Sequence, residues 1–278
     1  MTNNKFQLNM PDTTLPFFAY GTFKPGQIAY SRIEPYVKGN PIKEKICNKL
    51  FLRDGLPFIT LESTERPETI GYLIEFNNYE AMEAYDIICT VQSKKLYYWK
   101  EISVAGRPAN VLIGKKPRRS RPKRLENSFH GEDDPYFNEV FRLINDEIND
   151  MESIENFNDY FEVLRNYIFL WAAIERYASL RFGNLHNKNK LLAQEDAFQN
   201  ALRKVVGDKR RKIYRTDNLF PLCLDANDPE ESIDYYYTVR CNIVHRGKLI
   251  DDEDKIVFDS LKELSEIFDH ILKETFKK

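Results

Sequence analysis

Apolar residues follow two different rhythms along this chain. From Leu15 to about Ile113 they come in short runs rich in β-branched and aromatic residues, LPFFAY, LPFITL, TIGYLIEF, LYYWKEISV and ANVLIG. Such runs pack well on a pleated surface and read as strands. Asn78 to Ile88 (NYEAMEAYDII) carries the spacing of one short helix. Pro25-Gly26, Gly39 to Pro41 and Gly55 to Pro57 punctuate turns. This part of the chain is therefore expected to be α+β.

From Pro135 onward the apolar period lengthens to that of helices. Phe137, Val140, Phe141, Ile144 and Ile148 form one stripe; Ile154, Phe157, Phe161, Leu164, Ile168, Trp171 and Ile174 form a longer one that stops at Gly183. Leu191 to Val206 predicts a third helix closed by Gly207, and Ile256, Val257, Leu261, Leu264, Ile267, Phe268 and Ile271 the last. Between these, Asp228-Pro229-Glu230-Glu231 combines a capping acid, proline at the first helical position and glutamate three residues after the cap. The helix it starts should run through IDYYYTVRCNIVHR to a C-cap at Gly247. The two rhythms meet at KKPRRSRPKR, seven cations and two prolines in ten residues, after which the chain turns acidic. The expected organisation is an α+β domain over 1–114, an exposed basic linker over 115–134 and an all-α domain over 135–278.

Composition changes this picture little. A chain of 278 residues exceeds the usual size of one core, and 42% hydrophobic with 13% aromatic residues is enough for two. With 41 basic and 43 acidic side chains the formal charge is -2, so only the local run of cations argues for an anionic partner. That run would hold RNA by phosphate contacts or serve only as a soluble linker. Cys47, Cys89, Cys223 and Cys241 stand far apart without a CxxC pair, which argues against a zinc site or a disulfide framework and fits a reducing cytosol. The start MTNNKFQLNM lacks a basic-then-apolar signal, and the longest apolar run, Tyr167 to Ile174, is too short to span a bilayer. The expectation is a cytoplasmic protein with no membrane partner, no metal and no cofactor.

The candidate chemistry lies late in the helical half. At about 100° per residue, Arg240 and His245 stand about 140° apart, suited to flanking one groove with a phosphate between them. Arginine brings a permanent forked charge for a pentacoordinate phosphate. A histidine near a helix C-terminus sits where the dipole favours a cation able to hand a proton to a leaving oxygen. The stretch YYYTVRCNIVHRGK, in a helical context and followed by one more amphipathic helix, resembles the signature of the HEPN family: arginine, a polar residue, three more residues and histidine. That resemblance covers about Pro135 to the end. It implies a homodimer that cuts RNA without a metal, the ribose 2′-hydroxyl attacking the adjacent phosphate. Arg240 would stabilise the phosphate charge, His245 would act as general acid or base, Asn242 would orient either group and Arg246 would add a phosphate contact. The position after the arginine, often Asn, Asp or His in the family, is Cys241 here. Glu175 and Arg176 on the long second helix would face this site or form a solvated pair. The aromatics Tyr235 to Tyr237 fit a dimer interface or a packed core equally.

In the first half, FFAYGTFKPGQ followed by AYDIICTV, YYWKEISV and ANVLIGKK resembles gamma-glutamylcyclotransferase-like proteins over about Leu15 to Lys115. The resemblance implies a small mixed β-barrel whose YG-[ST]-L loop, here Tyr20, Gly21, Thr22 and Phe23, lines a pocket. Aligning Tyr85-Asp86 with the family's LDxxEG pattern puts Cys89 where the proton-transferring glutamate belongs and Thr90 where glycine belongs. With an ordinary pKa of about 8.5, a thiol does not replace a carboxylate base at neutral pH. Asp86 and Glu83 are the nearest acids. The pocket is then expected to bind a small molecule, a protein terminus or a partner, and to control an endoribonuclease of prokaryotic defence or toxin type. Two other readings stay open: a cyclotransferase-like enzyme with a dimerising helical domain, and a non-catalytic scaffold.

Overall fold

A computed structural model describes residues 8–115, 122–183, 185–215, 220–246 and 254–276 of the chain, without the side chain of Arg246. It is a mixed α+β structure that divides into two compact units. The first combines the chain up to Glu132 with Ser179–Leu185; the second combines Asp133–Ala178 with His186–Lys277.

The first unit is a curled mixed sheet of eight strands: β1 (Phe17–Ala19), β2 (Ile42–Ile46), β3 (Asn48–Arg53), β4 (Leu56–Ser63), β5 (Thr69–Ile74), β6 (Tyr97–Val104), β7 (Arg107–Gly114) and β8 (Lys123–Arg124), with one α-helix, α1 (Ala81–Val91). The order is β2-β5-β1-β7-β4-β3-β8, with β6 also paired to β7. β7 runs parallel to β1 and to β4 and antiparallel to β6. Its residues from Ala109 to Gly114 are all buried, as a strand covered on both faces requires. Alternation in β1 sends Phe18 to one face, among Ile46, Leu50, Ile59, Leu73, Val111 and Ile113. Phe17 goes to the other face, edge-on to Tyr85 of α1 and Trp99 of β6 at 6.4 and 5.8 Å. β2, IKEKI, eluded the strand reading because its charges lie on an exposed sheet edge, where lysine and glutamate discourage pairing with other chains.

Lys115 and residues 122–132 of the segment expected as an exposed linker are part of this unit, and Asp133 and Asp134 belong to the second. β8 pairs with β3, Phe129 is buried, and the buried Lys24 ammonium reaches the Ser128 hydroxyl at 2.8 Å and the Phe129 carbonyl at 2.6 Å. Leu125 and Phe129 join the sheet core, and that apolar anchoring outweighs the solubility of the adjacent cations. Residues 116–121 of the basic run lie outside the described residues.

The second unit contains α2 (Pro135–Glu147), α3 (Phe157–Phe182, its last turn belonging to the first unit), α4 (Lys188–Ala193), α5 (Asp196–Val206), α6 (Pro229–Arg246) and α7 (Asp254–Thr275). Two differences from the expected all-α domain stand out. The helix expected over 191–206 is broken at Glu195, whose backbone is extended, and a two-stranded hairpin, β9 (Arg211–Ile213) and β10 (Leu222–Leu224), precedes α6. Arg211 of β9 is anchored to the buried Glu263 and, at 3.3 Å, to Asp259, both on α7; a three-residue strand held by side-chain charges leaves little hydrophobic period to read.

The apolar stripe on α3 also divides. Tyr160, Val163, Tyr167, Leu170, Trp171 and Ile174 are buried, whereas Phe157 and Phe161, 62% and 59% exposed, lie in solvent with Ile168. The helix is apolar on more than one face over this stretch, so spacing alone does not say which face the core takes.

Candidate functional site

The N-terminus of α6 is set as its sequence demands. The Asp228 carboxylate accepts from the Glu231 amide at 2.9 Å, Glu231 accepts from the Cys223 amide of β10 at 3.0 Å, and Ser232 exchanges hydrogen bonds with Asp225. Tyr235 and Tyr236 are fully buried, so a packed core accounts for them. The Tyr167 hydroxyl donates to the Tyr236 carbonyl at 3.0 Å, and the Tyr236 hydroxyl donates to Glu263 at 3.3 Å. These contacts fix the rotation of α6 about its axis. At about 100° per residue, the opposite face then carries Tyr237, Arg240, Cys241, Val244 and His245. Val244 and His245 are exposed and the other three half-buried. Tyr237, Cys241 and Val244 lie between the two predicted catalytic residues on this arc.

Arg240 and His245 take part in no hydrogen bond or ion pair among the described residues. Their surroundings are polar but not neutralising. Trp171 stacks at a tilt on Tyr237 at 5.5 Å and donates its indole N–H to Glu175 at 2.9 Å. The Tyr237 phenol is raised above its ordinary range, chiefly by the adjacent Cys241 sulfur and further by Glu175, while Arg240 acts in the opposite direction. Glu175 therefore belongs to this neighbourhood. Arg176 points elsewhere: its Nε and Nη2 hold the buried Asp134, the cap of α2, at 3.0 and 2.7 Å. Asn242 is buried and donates to the Tyr214 carbonyl at 3.2 Å, tying α6 to the residue after β9 rather than reaching the exposed face. The Arg246 side chain and Gly247 lie outside the described residues.

In the sheet unit, Tyr20, Gly21, Thr22 and Phe23 line one cavity with Phe17, Pro57, Gln92, Tyr97 and Leu112. Its volume is about 20 Å³, room for about one water molecule. The polar groups around it are mutually bonded: Tyr20 hydroxyl to the Leu112 carbonyl at 2.6 Å, Tyr97 hydroxyl to the Pro57 carbonyl at 2.9 Å, and Gln92 amide to the Thr22 hydroxyl at 3.2 Å. A methyl on Gly21 would stand 2.7 Å from Pro57 Cγ, so this loop approaches β4 more closely than other residues allow.

Asp86 and Cys89 do not line this cavity. Asp86 is on the exposed side of α1, and Cys89 is buried with its thiol 3.6 Å from the Asn9 carbonyl. Burial pushes that thiol up to about 11, which keeps it neutral. The side chain that α1 delivers to the cavity is Gln92, just past the helix end. No local pattern marks Gln92 or Tyr97, because residues far apart in sequence close the cavity. Among the described residues no group of three His, Cys, Asp or Glu side chains converges as a metal site, and no helix is long and apolar enough to cross a membrane.

The structure is a mixed α+β protein with a small cavity in a curled sheet and, in a helical unit, a helix face that carries Arg240 and His245. No family model and no curated protein matches the chain. Among solved structures it is similar to the uncharacterized protein PH0828 from Pyrococcus horikoshii, 18% identical over 40% of this chain and 86% of that one, with a TM-score of 0.31. That likeness carries no argument about function.

Proposed function

We propose that this protein is a metal-independent endoribonuclease of HEPN type, with α6 as the cutting element and the sheet unit as a gamma-glutamylcyclotransferase-like regulatory domain, acting in the prokaryotic cytoplasm in defence or as a toxin. One observation carries the reading: Arg240 and His245 stand on one arc of α6 with no hydrogen bond or ion pair to any other described residue, an arrangement in which a cation and a proton carrier can receive a phosphate. In this reading Arg240 neutralises charge on the scissile phosphate. His245 transfers a proton at the attacking 2′-oxygen or the leaving 5′-oxygen. Glu175 and Tyr237 border the site, and Asn242 acts through the position of the helix.

The reading includes a homodimer. Residues 157, 161, 164, 168 and 172 of α3 form one stripe, on which Phe157, Phe161 and Ile168 are 62%, 59% and 36% exposed. A second copy laid antiparallel about Leu164 sets Phe161 against Ile168 and the large Phe157 against the small Ala172, an isologous pairing of bulk with space.

The test is cleavage of mixed cellular RNA by the purified full chain in excess chelator, with the product ends identified. Cyclic phosphate ends from the wild type, absent with Arg240→Ala and His245→Ala, would support the reading. An inert wild type, even with cell extract added, would leave the cavity as the functional centre and the protein as a binding module.

A further inference from the structure

The loop that begins at the cavity does not end there. Tyr20 to Phe23 line it; the next residues, Lys24 and Gln27, are both buried and hold residues 128–132. Lys24 bonds Ser128 and the Phe129 carbonyl at 2.8 and 2.6 Å. Gln27 donates to Glu132 at 3.0 Å and accepts from the Gly131 amide at 2.7 Å. A turn later the same loop grips the end of α3. The buried Arg181 donates to the Ile28 carbonyl at 2.6 Å and to the Ser31 hydroxyl at 3.0 Å, and Arg32 returns a bond to the Arg181 carbonyl at 3.3 Å while lying over the Phe182 ring. Gly183, at φ 73°, packs so closely on the end of α1 that a methyl there would stand 2.6 Å from the Thr90 carbonyl.

The two gripped segments are special in the chain. Glu132 and Asp133 mark one passage between the compact units, and Ala178 and Ser179 another. In the second unit they are joined again, where Arg176 of α3 holds Asp134 at the start of α2. α3 is one continuous helix of 26 residues, and the residue before Arg176 is Glu175, beside Tyr237 on the candidate cutting face. A buried loop with its polar atoms satisfied at fixed geometry has few intermediate positions, so a change at its cavity end has to be taken up at its bonded ends.

We propose that the 20–32 loop is a regulatory strap: filling the Tyr20–Phe23 cavity shifts it, and Lys24 and Gln27 on one side and Arg181 on the other carry the shift to residues 128–132 and to the end of α3, beside two of the points where the chain passes between its units. Arg181 is a positioning residue for the C-terminal part of α3. The consequence for RNA cleavage rests on the nuclease reading; the transmission itself does not.

The experiment is amide hydrogen exchange on the full chain, with Gly21→Ala, whose added methyl collides with Pro57 at the cavity wall, as the probe that displaces the loop at its cavity end. In the otherwise wild-type protein this substitution is expected to change exchange by roughly threefold or more over 24–32, 128–132 and 176–182. Adding Arg181→Gln should abolish the response at 176–182 and leave that at 128–132; adding Lys24→Met together with Gln27→Leu, which removes both holds on 128–132, should do the reverse. Ser31→Ala, a smaller lesion that removes one Arg181 contact, should weaken the response at 176–182 and guards against misfolding of the larger variants. A response confined to 20–23, or one at 176–182 that survives both Arg181→Gln and Ser31→Ala, would overturn the proposal. Measured in parallel, an absence of RNA cleavage by the wild type would sink the nuclease reading and not the strap.

Discussion

The Tyr20–Phe23 cavity and the exposed face of α6 treat polar groups in opposite ways. Around the cavity, Tyr20, Tyr97, Thr22 and Gln92 are bonded to one another or to carbonyls, as burial requires. On α6, the half-buried Arg240 and the exposed His245 make no hydrogen bond or ion pair among the described residues. A small site whose groups are already satisfied gains from a ligand only if the ligand reproduces those bonds. An exposed helix face carrying an arginine and a histidine has donors to offer an anion. On the proposed reading the sheet unit recognises and the helical unit acts, and the contrast can be broken at either site.

The largest effect expected from breaking this contrast is on the helix face. His245→Ala should lower RNA cleavage about a hundred- to ten-thousand-fold, and Arg240→Lys should fall well below wild type because an ammonium cannot reproduce the guanidinium fork. Both should leave thermal stability within about 0.5 kcal/mol of wild type, since neither residue is paired with another described residue. Loss of stability in step with loss of cleavage would mean that the pair belongs to the structure and not to the chemistry.

Next comes the buried foundation of α6. Glu263→Gln takes the buried carboxylate from Arg211, which keeps only Asp259 at 3.3 Å, and should cost about 2 kcal/mol in urea unfolding. A cost below about 1 kcal/mol would show that apolar packing alone sets the helix.

Phe161→Asp tests the α3 stripe. Burying that ring against a second copy is worth about 2 kcal/mol and occurs twice in a two-fold dimer, so the substitution should weaken self-association roughly a thousandfold by sedimentation. An unchanged monomer–dimer balance would move the interface elsewhere or remove it.

The smallest effect belongs to Cys89. Because its folded pKa is raised to about 11 from 9.0, its contribution to stability is complete below pH 9 and is lost as pH rises through 11. At pH 10 the loss is about 1 kcal/mol, and Cys89→Ala should remove that part of the alkaline decline in the urea midpoint. An identical decline in the variant would assign it to the buried tyrosines, whose phenols are also raised by burial.

Local chemistry is what the sequence determined by itself. The aromatic and β-branched runs became β1 and β4 to β7, the cap at Asp228 and Pro229 started α6, and the apolar periods placed α2, α3 and α7, because each signal is written within one turn or one strand. Tyr20 to Phe23, expected along a pocket only from the resemblance of their loop to a known family, do line one cavity. Tertiary structure alone decided the rest. Whether Phe161 is core or surface, whether Cys89 or Gln92 reaches the cavity, and whether Asn242 faces phosphate or Tyr214 depend on which of several apolar faces finds a partner. The fold of 122–134 onto β3 depends on Phe129 finding a core assembled from strands far away in sequence. Burial is a property of the whole packing, and a residue's neighbours along the chain carry only its propensity for one face, not the identity of what covers it.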